Sequence, residues 1–259
     1  MTPMKIVVMS LKGGTGKTTV CLGLASALRD RGMKTGLLDV DIHASALPRA
    51  LGLTTDPGYQ AVSGRQLRPL DFDGFQVWSI GLLFAEETPN MWDGATKREA
   101  VQQIATTSIA WSPDLAWVVV DTPPTSGDEI QSLLANMADV YGAVIVCQPN
   151  DLAVLAIAKT LEVLREMEVP VCGLVANMVG YRCPNCGYVS NPFDRDTEDV
   201  RGLADRFGVP FLGTVPFGPE SMRQPAMAAV TDAILGQAPV MLKNKKGGFR
   251  RWLVAAALK

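Results

Sequence analysis

Cysteine is scarce in this sequence: five in 259 residues, an odd number that leaves one over from any set of disulfides. So few cysteines argue against a disulfide framework and point to a reducing, cytoplasmic setting. No apolar run approaches the ~18 residues that a membrane-spanning helix needs. Met1 leads almost directly into the first motif, with no room for a signal peptide. An excess of positive charge is missing too. The formal net charge is −2, which creates no global field for nucleic acid, so no specific nucleic-acid partner is expected. That average hides an asymmetry. Lys243–Lys259 carries six of the 24 Lys/Arg and no acid, leaving 18 bases against 26 acids in residues 1–242. Aromatics are sparse at 7% while hydrophobic residues reach 47%, a balance suited to the Val, Leu, Ile and Ala core of a parallel sheet. Repeats, linkers and low-complexity tracts are absent. Residues 1–242 are therefore expected to form one domain, with 243–259 as a basic tail.

What is present starts with Ser10-Leu11-Lys12-Gly13-Gly14-Thr15-Gly16-Lys17-Thr18-Thr19. The apolar run Ile6-Val7-Val8-Met9 before it reads as a short buried strand, and Val20 to Leu28 after it as a helix. Strand, glycine-rich turn and helix N-terminus make the context of a phosphate loop. Gly13, Gly14 and Gly16 let successive backbone N–H groups curl round an anion. The free N–H groups of the first helical turn add positive potential, and Thr15 and Thr19 fall within the same cradle. Lys17 can reach the β- and γ-phosphates, and the Thr18 hydroxyl can bind Mg²⁺. A dinucleotide-binding loop fits poorly, because G-x-G-x-x-G would place glycine at Thr19. Leu11 occupies the first glycine position of the strict phosphate-loop pattern, and Lys12 adds a second lysine.

The next strand, Thr35 to Leu38, ends in Asp39-Val40-Asp41. Alternation places both carboxylates on one face at the carboxyl edge of the sheet, where the phosphate loop also lies. Two solvated loop acids are the plain alternative; their place one βα unit after the loop favours work on Mg²⁺ or water. Residues 54–74 read as loop with a short hairpin, Phe75–Ile80 as a strand, and Lys97–Thr107 as a helix after Trp92-Asp93-Gly94. Leu115–Val120 is a buried strand that delivers Asp121, the second acid expected to organise Mg²⁺. Thr122–Glu129 looks like a segment that senses the γ-phosphate. Strands at Tyr141–Cys147, Val171–Asn177 and Phe211–Val215 alternate with helices at Asp151–Glu166 and Thr197–Phe207. The expected fold is α/β: a single doubly wound, mostly parallel sheet flanked by helices. The guanine-reading N-K-x-D tetrad is absent, and Asn177 ends its strand where an amide can meet the 6-amino group and N7 of adenine. ATP is favoured over GTP.

Cys183-Pro184-Asn185-Cys186-Gly187 is the second informative motif. C-x₂-C in a turn with Pro and Gly points two thiolates to one side, as metal knuckles do. A tetrahedral site wants four ligands. Cys21, Cys147 and Cys172 sit in apolar contexts and read as buried small hydrophobes, while the only histidine, His43, reads as a loop residue. Two chains about a two-fold axis would supply four thiolates. Structural Zn²⁺, a bridging iron–sulfur cluster and a redox-active dithiol all remain open on chemistry alone.

Together these motifs resemble the deviant Walker A group that includes MinD, ParA and the nitrogenase iron protein. Within that group the chain is most similar to the Mrp-type (Nbp/ApbC-like) iron–sulfur carrier ATPases, over about residues 4–225. The resemblance runs through Leu37–Ile42, Leu47–Gly52, Trp92-Asp93-Gly94, Asp121-Thr122-Pro123-Pro124, Gly127-Asp128, Gln148–Ala153 and the cysteine knuckle. It implies a cytoplasmic homodimer in which Lys12 reaches the partner's phosphates and Asp41 positions the attacking water. Thr18, Asp39 and Asp121 would serve Mg²⁺. Cys183 and Cys186 would hold a [4Fe–4S] cluster shared between subunits, delivered to apo iron–sulfur client proteins under control of ATP. Leu11, Thr125 and His43-Ala44 depart from the family pattern, standing for Gly, Gly and Tyr-Gly. The alternative is a MinD/ParA-like positioning ATPase on membrane or DNA, with a structural zinc knuckle. The tail favours it: Phe249, Trp252, Leu253 and Ala256 share one helical face beside basic residues, a pattern suited to peripheral contact with anionic lipid. A tail packed on the body or left solvated is the plainer reading.

Overall fold

The structure is a computed structural model that describes residues 2–10, 12–41, 45–53, 59–63, 66–83, 109–124, 128–149, 153–191 and 198–243. Its strands are β1 (Met4–Met9), β2 (Thr35–Asp39), β3 (Ala61–Ser63), β4 (Gln66–Leu67), β5 (Leu70–Phe72), β6 (Phe75–Ser79), β7 (Trp117–Asp121), β8 (Val140–Cys147), β9 (Val171–Arg182), β10 (Val189–Ser190) and β11 (Phe211–Phe217). Its helices are α1 (Lys17–Asp30), α2 (Leu47–Leu51), α3 (Asp128–Asn136), α4 (Ala153–Glu166), α5 (Glu198–Phe207) and α6 (Glu220–Leu235). Seven strands run parallel in the order β11-β9-β8-β1-β7-β2-β6. β5 closes one edge antiparallel to β6, and β10 folds back on the far end of β9. The doubly wound parallel sheet is thus as expected.

Alternation along each strand builds a core on both faces. In β1, Ile6 and Val8 belong to one buried cluster and Val7 and Met9 to the other. α1 and α6 cover the first face with Leu24, Leu28, Met227, Val230 and Ile234. α3, α4 and α5 cover the second with Ile130, Leu133, Leu161, Leu203 and Ala204. Cys21, Cys147 and Cys172 are buried in these clusters, as expected, at 0%, 3% and 3% exposure. Burial pushes the thiols of Cys147 and Cys172 up to about 12, leaving them inert.

Three features differ from expectation. β9 does not stop at Asn177; it runs to Arg182 because its last residues find partners in β10 and in Phe217 of β11. α6 went unforeseen because Pro225 lies inside it, yet Met227, Val230, Thr231 and Ile234 keep a helical spacing and are buried. α3, from Asp128 to Asn136, is a further helix that the sequence reading did not mark. The 54–74 region does contain a hairpin, β3–β4. The expected helix at 97–107, Trp92-Asp93-Gly94, Leu11, His43, Thr125 and the tail from 244 lie outside the described residues.

β9 and β11 approach so closely that only glycine fits between them. Gly173 has φ 147°, and a Cβ there would lie 2.4 Å from the Pro210 carbonyl oxygen. That carbonyl already accepts the Leu174 N–H at 2.9 Å and cannot easily withdraw. Gly173→Ala is therefore expected to destabilise the protein by about 1–3 kcal/mol, read as a lower urea midpoint.

Candidate nucleotide site and thiol knuckle

The phosphate loop is shaped by where its carbonyls are tied. Gly14 and Gly16 adopt left-handed conformations, φ 77° and 84°. Gln148 Nε2 donates to the Gly14 carbonyl at 3.0 Å, and Asn177 Nδ2 donates to the Thr15 carbonyl at 2.8 Å. A trans peptide points its C=O and N–H in opposite directions. Holding the carbonyls of Gly14 and Thr15 beneath the loop therefore turns the N–H groups of Thr15 and Gly16 outward, as an anion nest requires. α1 starts at Lys17 with Gly16 as its N-cap and no side-chain cap, so its first N–H groups are left for an anion. Lys17 is buried, Thr18 and Thr19 are half-buried, and Gly13 and Gly14 are exposed. Ser10 Oγ and Thr15 Oγ1 donate to the Lys12 carbonyl at 3.2 and 3.4 Å, which fixes Lys12 at the lip of the loop.

Parallel register brings the acids together. Asp121 of β7 lies opposite Val8 of β1 and Asp39 of β2, so both carboxylates meet at the edge where the loop begins. Thr18 Oγ1 donates to Asp121 Oδ2 at 2.5 Å. Asp39 accepts from the Ser79 hydroxyl at 2.7 Å, from the Asp41 N–H at 3.0 Å and from the Ser45 hydroxyl. Asp41 follows just beyond the strand and is 8% exposed. Burial pushes Asp39 up to about 6, against the pull of its three donors. Burial, and then the charge of Asp39, pushes Asp121 up to about 7, opposed by Thr18 and Lys17. Two buried acids sharing one site with a threonine hydroxyl are a hard-oxygen donor set of the kind Mg²⁺ takes. Sequence reasoning missed Ser45, Ser79 and Gln148. Ser79 was within reach, since it ends its strand level with Asp39.

Asn177, whose amide is expected to meet adenine, is 2% exposed and donates one Nδ2 hydrogen bond to the Thr15 carbonyl. A Cβ on Gly16 would come within 2.2 Å of that nitrogen. Asn177 thus braces the loop from below.

The knuckle occupies the tip of the β9–β10 hairpin, on the strand edge that carries the phosphate loop. The Cys183 N–H donates to the Tyr188 carbonyl at 2.8 Å, and the Gly187 N–H to the Cys183 carbonyl at 2.9 Å. Gly187 turns the chain with φ 72°. The backbone N–H of Cys186, then the N–H of Asn185 and the Cys186 thiol, hold the Cys183 thiol below its ordinary value. N–H groups aimed at sulfur favour thiolate, the form that binds metal. Among the described residues no group of three or more His, Cys, Asp or Glu is placed to hold a metal. Each chain thus brings two thiols to this tip. Tyr181, Tyr188 and Val189 on this hairpin, and Phe217 at the end of β11 beside it, are all exposed.

The family model of NUBPL iron-transfer P-loop NTPases, within the ParA group, matches residues 2–238. An iron–sulfur cluster carrier protein of Methanocaldococcus jannaschii is 36% identical over 214 residues, covering 82% of this chain and 72% of the relative. A cytosolic Fe–S cluster assembly factor, the Nubp2 homolog of Drosophila simulans, is 35% identical over 240 residues, covering 90% and 89%. Among solved structures, a nucleotide-binding protein from Archaeoglobus fulgidus in complex with ADP superimposes with TM-score 0.69 and 27% identity, covering 93% of this chain and 94% of that one. MinD from Pyrococcus horikoshii, complexed with Mg-ADP, reaches TM-score 0.62 at 19% identity over 90% and 96% of the two chains, a likeness of fold.

The paired acids predict a pH dependence. A carboxyl held above its ordinary value binds its proton more tightly when folded, so its ionisation costs stability as pH rises from about 4 through about 7. Without Mg²⁺, Asp121→Asn should raise stability at pH 8 by roughly 1–3 kcal/mol and leave it nearly unchanged at pH 4. Added Mg²⁺ should raise the melting temperature of the parent at pH 8 and not that of the variant. Calorimetry at both pH values checks this.

Proposed function

The chain belongs to the NUBPL iron-transfer P-loop NTPase family, and we propose on that premise that it is an ATP-driven iron–sulfur cluster carrier. It binds and slowly hydrolyses ATP, holds a [4Fe–4S] cluster between two copies of itself, and hands the cluster to apo iron–sulfur proteins. One observation carries this reading. The two-thiol knuckle, with N–H groups aimed at Cys183, stands on the same sheet edge as the phosphate loop. A closed structural zinc site would need four ligands in place; a half-site suits cargo shared across a two-fold axis. The exposed side chains of Tyr181, Tyr188, Val189 and Phe217 support a surface covered by a second copy.

In the proposed reaction the outward N–H groups of residues 13–19 bind the phosphates, and Lys17 neutralises charge between the β- and γ-groups. Thr18, with Asp39 and Asp121 acting directly or through water, would hold Mg²⁺, which supplies charge neutralisation for phosphoryl transfer. Asp41 orients the water for in-line attack on the γ-phosphorus. Lys12, at the lip, extends to the partner's phosphates and ties hydrolysis to dimerisation. Asn177, besides bracing the loop, is the residue proposed to meet the adenine edge. Among the described residues no helix is long and apolar enough to cross a membrane, which accords with a cytoplasmic carrier.

Replacing Cys183 or Cys186 with Ser should abolish cluster binding while each monomer stays folded, because the core lies elsewhere. Anaerobic reconstitution of the parent should give about four irons per dimer, as a single cubane requires, and transfer to an apo-ferredoxin acceptor. Stoichiometric zinc that resists exchange for iron, with no transfer, would favour a positioning ATPase instead.

Lys12→Ala should lower ATPase activity about tenfold or more with ATP binding retained, the scale of losing one transition-state charge. Mixing it with Lys17→Ala should recover part of that activity through hybrid dimers. Hybrids that form without recovering activity would remove the case for a contribution across the interface.

A further inference from the structure

The phosphate loop and the knuckle are joined by one strand. β9 passes beneath the loop at Asn177 and ends at the knuckle, Arg182 being the residue before Cys183. Its pairing with β8 stops at Ala176, opposite Cys147. Past that point its neighbours are the loop, β11 and β10. On the β11 side the ladder breaks: four steps of β9, Asn177 to Tyr181, oppose two of β11, Val215 to Phe217. Met178 and Gly180 fill the surplus with left-handed conformations, φ 61° and 73°. A left-handed methionine is a strained choice, held in place by its surroundings.

Those surroundings are the loop. Gln148 Nε2 lies 3.0 Å from the Gly14 carbonyl and 2.9 Å from Met178 Sδ. Asn177 holds the Thr15 carbonyl, and Met178 Cε would lie 3.4 Å from a Cβ on Gly16. The peptides that present N–H groups to phosphate are thus the same ones whose carbonyls are tied to Gln148 and Asn177. Phosphate at one end of a rigid peptide plane acts on the bulge at the other. We propose that Asn177, Met178 and Gln148 are positioning residues that transmit occupancy of the phosphate loop to the Cys183–Cys186 knuckle through the bulge in β9. This deepens the carrier reading and rests on it for its purpose. A bound phosphate fixes the peptide planes, firms the bulge and restrains the hairpin, so the two thiols become less reactive when nucleotide is bound.

Alkylation by iodoacetamide, followed by mass spectrometry in metal-free protein, tests the link. Cys183 and Cys186 are the accessible thiols; Cys21, Cys147 and Cys172 are buried at 0%, 3% and 3% and serve as internal controls. A slowly hydrolysed ATP analogue with Mg²⁺, at saturation for each protein, should slow alkylation of Cys183 in the parent by roughly fivefold or more, the low end of ordinary coupling between sites. Met178→Ala should bring that ratio close to one. Gln148→Leu removes both of its hydrogen bonds and should do the same, which covers a failure of the first variant to fold. An unchanged ratio in either folded variant overturns the proposal, since protection would then come from dimer contact alone. No nucleotide effect in the parent overturns it as well. Metal uptake is measured separately by Co²⁺ titration, where a missing thiolate-to-cobalt absorption band would count against the carrier function and not against the link.

Discussion

Two carboxylates buried side by side are the constraint on which this site depends. Asp39 and Asp121 end neighbouring parallel strands in register, so a pair of negative charges meets at the mouth of the phosphate loop. Left to itself, such a pair would cost several kcal/mol through lost hydration and mutual repulsion. The fold answers with donors: Ser45, Ser79 and the Asp41 N–H on Asp39, and Thr18 on Asp121, with the Lys17 charge close by. These lower the cost without cancelling it, and both acids remain shifted upward. A divalent cation arriving with nucleotide would remove the remainder. Strain of this kind converts ligand binding into stability, because what binds only the folded state stabilises it.

The same economy governs the loop. Its anion nest depends on carbonyls held from below by side chains of other strands, so the loop is only as rigid as the ends of β8 and β9. Gly16 illustrates the closeness required. Its left-handed φ and the 2.2 Å gap from a notional Cβ to Asn177 leave room for no other residue. The phosphate loop is therefore an assembly whose lower half belongs to residues 148 and 177–178, more than 130 positions away in the chain.

That division explains what was legible in the sequence. The loop, Asp39, Asp121 and the C-x₂-C motif could be read because each is local: a strand followed at once by residues of defined chemistry. The alternating sheet was legible for the same reason, since Val, Ile and Leu runs mark its strands one at a time. Gln148 was not, because its contacts join segments far apart in sequence; Ser79 ends a legible strand but meets Asp39 only through register, and Ser45, six residues after Asp39, carries no motif to mark it. Asn177 was found as a strand-end amide, but its bond to the Thr15 carbonyl was not, since a one-dimensional pattern does not say which backbone an amide meets. The extent of β9 escaped because Met178 and Gly180 break the alternation that defines a strand. α6 escaped because Pro225 reads as a helix breaker, whereas burial of Met227, Val230 and Ile234 outweighs one lost hydrogen bond.

A carrier faces opposing demands that this architecture separates in space. Hydrolysis needs buried charges and a rigid cradle, while release of a metal cargo needs an exposed, adjustable site. In this fold Asp39 and Asp121 lie inside at 0% and 3% exposure, whereas Cys186 and its aromatic neighbours stand on a hairpin with little sheet around it. β10 is two residues long and pairs only with the last residues of β9, so the hairpin has little stability of its own and its geometry is set by whatever holds its base. That base is the bulge of β9, clasped by the phosphate loop. Placing a marginal hairpin on a strand braced by the loop would let a small change in the loop be felt at the thiols while the core stays fixed.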